Sequence, residues 1–328
     1  MTIVARPGGG QTAARPAADL AASAGRARTP ARPGPGPIAD DLVRRLEVSL
    51  TRRVGGRMTG DHRGRGLGEG LELDRLRPYE PGDDVRRIDW NATARSLTPQ
   101  VREDVPDRQM TAWVLLDQSA SMQFGTADRR KADVAEGAAL VIGRFVARRT
   151  DRLGVITFGS GERESITPPA GGRVGLTGLL RALDTEPADE GGGPTSMQRA
   201  LRVIAASRTS PGLVVVISDF RGAQDWRREM SAIAGRHTVL AIEITDPREE
   251  TLVDVGELTL IDPETGRTVR IDTGDRRLRS RFDDAAAAER AALAAEFARL
   301  GVRHLRLSTD GPWLTAFARG LDTTGRTA

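Results

Sequence analysis

Residues 111–117 read TAWVLLD, and residues 213–218 read LVVVIS with Asp219 directly after. Both runs are short, continuous and apolar, the pattern of a strand buried on both faces rather than one half in water. Each is followed by or ends on an aspartate, so a carboxylate is expected at the carboxyl end of each of two buried strands. Working outward, LGVITF (153–158), TVLAIEI (238–244) and HLRLS (304–308) read as further strands. Helical patterns separate them. In 131–149, Val134, Ala138, Val141, Phe145 and Val146 share one face. Others fall near 174–184, 195–208 and 225–234, in the Ala-rich 278–300 closed by Gly301, and in PWLTAFARGL. This alternation predicts an α/β domain over residues 107–320, a doubly wound, Rossmann-type, mostly parallel sheet with helices on both faces. ELTLIDPETGRTVRID (257–272) reads as a hairpin turning at Asp262–Gly266.

The flanks are different in kind. Residues 1–37 are dominated by Ala, Gly, Pro and Arg without periodic apolar positions, so they are expected to be a disordered tail. From Asp40 to Arg53, Leu42, Val43, Leu46 and Leu50 recur at helical spacing and open a small unit expected over 38–106. Residues 321–328 are read as a C-terminal tail.

Composition narrows the function classes. The absence of cysteine excludes disulfides, thiolate zinc sites and a catalytic thiol. His62, His237 and His304 lie far apart, which argues against a zinc cluster or a histidine-centred triad. No apolar run approaches about eighteen residues, and MTIVARPGGGQTAARP lacks a signal-peptide core, so a cytoplasmic chain without a membrane span is expected. The net charge of +4 raises nucleic acid as a partner, yet the arginines alternate with Asp and Glu, as in DRLRPYEPGDDVRRIDW, instead of forming one basic stripe. Lys131 is the only lysine among 49 basic residues.

In an open α/β sheet, ligands bind beyond the carboxyl ends of the strands, where the winding reverses. Three oxygen-bearing segments are expected there: Asp117-Gln118-Ser119-Ala120-Ser121, Gly191-Gly192-Gly193-Pro194-Thr195, and Ser218-Asp219. Asp117, Ser119, Ser121, Thr195 and Asp219 offer two carboxylates and three hydroxyls, hard donors of the kind Mg²⁺ or Mn²⁺ prefers. If one or both carboxylates act through water, the shell stays incomplete and an outside carboxylate can fill it. Taken singly, each segment has a plainer reading: Asp and Ser after a strand shape turns, and Thr195 suits a helix N-cap. Their order along the chain favours the metal site.

At these residues VLLDQSASM, GGGPTSM and VVISDF resemble the von Willebrand factor A fold with its metal-dependent adhesion motif. Upstream, RPYEPGDDVRRIDWNATAR resembles the bacterial family of domain of unknown function 58, through Arg77, Tyr79, Pro81, Gly82, Asp83, Arg86, Asp89, Trp90 and Arg95. The resemblance covers residues 41–310. It implies an accessory of a MoxR-type AAA+ ATPase, in chaperone-like assembly or metal insertion. The open metal shell and the missing catalytic motifs make a non-enzymatic protein-interaction role the expectation. Read from charge alone, the signature is an ion-pair clamp with Tyr79 and Trp90 as buried anchors.

Two alternatives stay open. A phosphoryl-transfer or hydrolytic enzyme could use Asp117 with Mg²⁺. Such folds carry a second carboxylate two residues later, where this chain has Ser119, and no G-x-x-x-x-G-K-[ST] loop or G-x-S-x-G elbow occurs. A nucleic-acid binder could act through the arginines of 1–37 and 52–65.

Overall fold

The structure is a computed structural model that describes residues 2–4, 33–58, 75–103, 110–149, 151–159, 164–184, 196–207, 210–222, 224–261 and 268–322. Chain contacts divide it into two units, Met1–Met58 with Met110–Ala328, and Thr59–Gln109. The first unit opens with β1 (Thr2–Val4) and α1 (Asp40–Met58). The second holds β2 (Arg75–Pro78), α2 (Trp90–Ser96) and β3 (Gln100–Glu103).

After it the first unit resumes with β4 (Thr111–Asp117), α3 (Lys131–Arg148), β5 (Arg152–Phe158), β6 (Ser165–Gly171), α4 (Gly172–Asp184) and α5 (Met197–Ala206). Then follow β7 (Leu213–Ser218), α6 (Arg227–Ala234), β8 (Thr238–Thr245), α7 (Pro247–Glu250), β9 (Glu257–Ile261) and β10 (Thr268–Asp272). The last elements are α8 (Arg276–Arg299), β11 (Arg303–Ser308) and α9 (Trp313–Asp322).

Six strands make the central sheet in the order β11-β8-β7-β4-β5-β6, all neighbours parallel except β5 and β6. Alternation along the strands divides the core as the period of two demands. Ala112, Val114 and Leu116 join Val215, Ile217 and Ile242 under α1, α3 and α9. Trp113, Leu115, Val214 and Val216 face the other way, toward Met197, Trp226, Ile233 and Phe297. The expected doubly wound architecture is therefore present. The winding reverses between β4 and β7: from β4 the chain goes outward to β5 and β6, then returns to β7 on the opposite side of β4.

Local chemistry explains the helix ends that matter. The backbone N–H of Arg130 donates to Asp133 Oδ2 at 2.8 Å, closing the first turn of α3. Asp275 accepts the Arg277 N–H at 2.8 Å to cap α8, and Gly301, at φ +66°, supplies the left-handed residue that ends it. The expected hairpin is β9 against β10, paired antiparallel; its turn, 262–267, lies outside the described residues.

Several details depart from expectation. Thr2–Val4, within the tail read as disordered, pairs antiparallel with β9, consistent with its run of β-branched Thr, Ile and Val. Helix α1 belongs to the first unit, because Val43, Leu46 and Leu50 are buried in the main core; the small unit starts at Thr59 instead of 38. Edge strand β6 went unread because Pro168 and Pro169 argue against a strand interior, and edges are where proline is tolerated. Residues 5–32 of the expected tail lie outside the described residues.

Within the small unit, Arg77 clasps Asp83 through both terminal guanidinium nitrogens, and Asp83 also accepts the Glu80 N–H at 2.9 Å. The neighbouring Arg77 holds the Asp83 carboxyl below its ordinary value. Asp89 caps α2 by accepting the Ala92 N–H at 2.9 Å. Trp90, expected as a buried anchor, is 69% exposed: it is the first residue of a seven-residue helix that buries only Ala92. None of the described helices is long and apolar enough to cross a membrane.

Candidate metal centre

Asp117 ends β4 and Asp219 follows β7, and the register that pairs Leu116 with Ile217 puts the two strand ends side by side. Four of the five expected ligands meet there. Asp117 is 3% exposed; its Oδ1 accepts the Ser119 N–H at 2.9 Å and its Oδ2 the Ser218 hydroxyl at 2.5 Å. Ser119 Oγ and Ser121 Oγ are 3.0 Å apart, and Ser121 also hydrogen-bonds Asp219. Thr195 and the glycines before it lie outside the described residues.

Ser119 leads into a short 3-10 turn, Ala120–Gln123, that contains Ser121, and this tight turn keeps the two hydroxyls together. It is held from beneath. The Gln118 N–H donates to the Phe158 carbonyl at 2.8 Å, and its side-chain amide to the Ala182 carbonyl at 3.1 Å. Gly159, at φ +90°, leaves the space the loop occupies. A Cβ there would lie 2.8 Å from Ser119 N and 2.9 Å from Asp117 Oδ1.

A second ring of polar groups fixes the surrounding loops. Asp246, at the end of β8, accepts the Thr126 N–H at 2.8 Å, the Arg248 N–H at 2.9 Å and the Thr309 hydroxyl at 2.7 Å. One buried carboxylate thus ties the loop after β4 to the loop after β11. Burial alone would raise the Asp246 carboxyl, and these hydrogen bonds outweigh it and lower it.

Sequence reasoning missed the cation of this centre. Lys131, 0% exposed, donates from Nζ to Asp219 Oδ2 at 2.7 Å and to Glu249 Oε1 at 2.8 Å. Burial works against the ammonium, but Asp219 and then Glu249 more than compensate and raise it. Burial likewise pushes Asp219 up, and Lys131 brings it well down. Asp117 behaves in the opposite way. Burial first, and the Asp219 charge second, push it up to about 6 against hydrogen bonds from Ser218 and Ser119. The sign of Lys131's importance was available in the sequence: it is the one lysine in an arginine-rich chain, twelve positions after Ser119.

The donors fit a hard divalent ion. The groups bonded to Asp117 are all neutral, so a buried carboxylate sits beside a second one with no cation of its own, and two hydroxyls stand with them. The set depends on those hydroxyls: among the described residues no three His, Asp or Glu side chains cluster as a metal centre. The two described histidines are used elsewhere, and His62 lies outside the described residues. His237 Nδ1 accepts the Gly212 N–H at 3.2 Å, and His304 Nε2 lies 2.8 Å from Glu243 Oε2.

The profile of a family described as "Protein of unknown function DUF58" matches residues 75–292. An uncharacterized protein of Mycobacterium bovis and another of Mycobacterium tuberculosis are each 39% identical over 277 residues, covering 84% of this chain and 87% of theirs. Among solved structures, the conserved hypothetical protein BatB from Bacteroides thetaiotaomicron is 15% identical with a TM-score of 0.41, over 66% of this chain and 100% of that one. A structure titled von Willebrand factor type A from Catenulispora acidiphila is 12% identical with a TM-score of 0.35, over 65% and 41%.

Proposed function

The chain belongs to the DUF58 family, and from that premise we propose that it is a non-enzymatic protein-interaction module that holds Mg²⁺ or Mn²⁺ and offers it to an acidic group on a partner. The observation that carries this reading is the gathering of Asp117, Ser119, Ser121 and Asp219 at the reversal point of the sheet, with Asp117 buried among neutral partners. Those four residues would hold the ion, with Thr195 as a fifth donor. When bound, the ion supplies a positive charge whose shell the protein leaves incomplete, which an Asp or Glu from outside completes. The protein's own part is to desolvate the site, hold the hydroxyls together and keep Asp117 charged in the ion's presence.

The proposed partner is a MoxR-type AAA+ ATPase, or a client it delivers, in chaperone-like assembly or metal insertion in the cytoplasm. Support for that choice comes from the signature at residues 77–95. Calorimetric titration of Mg²⁺ and Mn²⁺ is expected to show uptake by the natural chain and loss of it in Asp117→Ala and Asp219→Ala. Equal heats from all three remove the site. Capture of the ATPase by the tagged chain is expected to fall with EDTA, with Ser119→Ala and with Ser121→Ala. Recovery undiminished by all three sinks the metal bridge.

A further inference from the structure

We propose that Lys131 is the resident counter-cation of the metal centre, a residue that sets ion affinity by sharing Asp219 with the ion. This rests on the metal-centre reading and goes beyond it to a residue that is not itself a ligand.

Three observations carry it. First, the residue type: wherever else this chain needs a basic side chain it uses arginine, and only here, at full burial, does it use lysine. A guanidinium is a planar fork with five donors, whereas an ammonium is a compact charge with three, which suits a confined site between two carboxylates. Second, the partners: Asp219 Oδ2 is taken by Lys131 at 2.7 Å and Asp219 Oδ1 by the Arg221 N–H at 3.1 Å, so both of its oxygens are already engaged. Both oxygens of Asp117 are engaged too, by the Ser119 N–H at 2.9 Å and the Ser218 hydroxyl at 2.5 Å, but among the described residues its partners are neutral. Third, the setting: Asp117, Asp219 and Glu249 are each 5% exposed or less, so solvent screens these charges weakly. Arg221 lies further out, its Nε 3.8 Å from Glu249 Oε2.

An ion entering this cluster meets one carboxylate with only neutral partners and one that is half neutralised by the ammonium. It binds less tightly than to two carboxylates without a cationic partner, and it retains more positive charge for an outside anion. Glu249 has the opposite influence, since it draws on the same ammonium and leaves more of the Asp219 charge for the ion.

The test is Mn²⁺ affinity, read by electron paramagnetic resonance and calorimetry on the full chain. Lys131→Met is expected to bind Mn²⁺ about tenfold more tightly, and Glu249→Gln about threefold more weakly. A purely structural role for the lysine predicts loss of affinity in both. Because Lys131→Met leaves two buried carboxylates without their cation, the double variant Lys131→Met, Glu249→Gln accompanies it; it too is expected to bind more tightly than the natural chain. Affinities of Lys131→Met and of the double variant at or below the natural value, or tighter binding by Glu249→Gln, overturn the role of Lys131 while the metal centre stands. Asp117→Asn is the separating control. If it binds Mn²⁺ as the natural chain does, the centre itself is wrong and the proposal falls with it.

Discussion

Asp117→Asn is expected to melt at a higher temperature than the natural chain when both are stripped of metal at pH 8, and at a lower temperature when both are saturated with Mg²⁺. The first half follows from burial. The folded chain raises Asp117 to about 6, chiefly by desolvation and then through the Asp219 charge, from an ordinary value of 3.8. A carboxyl raised on folding contributes stability that is fully present below the unfolded value and is lost as pH rises through the folded one. A rise of that size corresponds to ~3 kcal/mol lost by pH 8, or about 5–10 °C in melting temperature for a domain of this size. Asparagine removes the charge and keeps an oxygen for the Ser218 hydroxyl. The second half follows from mass action, because an ion that binds only the folded, charged site stabilises the natural chain and not the variant. Melting curves in EDTA and in Mg²⁺, taken from pH 4 to pH 8, test both halves. Superimposable curves for the two proteins at pH 8 in EDTA would show that Asp117 carries no such cost.

Phe297→Ala is expected to destabilise the fold by ~3–5 kcal/mol, seen as a fall in the midpoint of urea denaturation with an unchanged slope. Helix α8 is 24 residues long but buries only Leu293 and Phe297, so its docking depends on very few side chains. Phe297 stacks on Trp226 at 5.3 Å and meets the edge of Phe220 at 5.0 Å. Phe220 directly follows Asp219 and is held at φ +54°, a conformation most non-glycine residues avoid. Its N–H donates to Ser218 Oγ at 3.0 Å, the same hydroxyl that serves Asp117. The aromatic cluster therefore supports the oxygen cluster, and the variant is expected to lose Mn²⁺ affinity as well as stability. A cost under about 1 kcal/mol would mean that the neighbouring aromatics close over the gap.

What the sequence made legible follows from how strongly each element announces itself. β4, β7 and β8 are continuous apolar runs, and their burial on both faces requires that pattern, so their positions were readable to within a residue. Asp117, Ser119, Ser121 and Asp219 were readable as a group because each falls at the end of such a strand. β6 was not, since an antiparallel edge strand with two prolines lacks the pattern of a buried one. Trp90 was misplaced because a large aromatic is normally a core residue, while its short helix has almost no buried face. Lys131 stands out as the one lysine, but its pairing with Glu249 was hidden for a different reason. It joins residues 118 positions apart, and charged residues at helix ends look alike whether they face water or each other.

The sealed lysine also governs how the chain meets amine chemistry. It is the only side-chain amine in the sequence and is wholly enclosed in the folded protein. Acylating reagents, amine-directed cross-linkers and lysine-specific proteases therefore find no side-chain target until the region around α3 opens. A lysine-specific protease has one peptide bond to cut, between Lys131 and Ala132, so the appearance of two fragments would time the opening of this core.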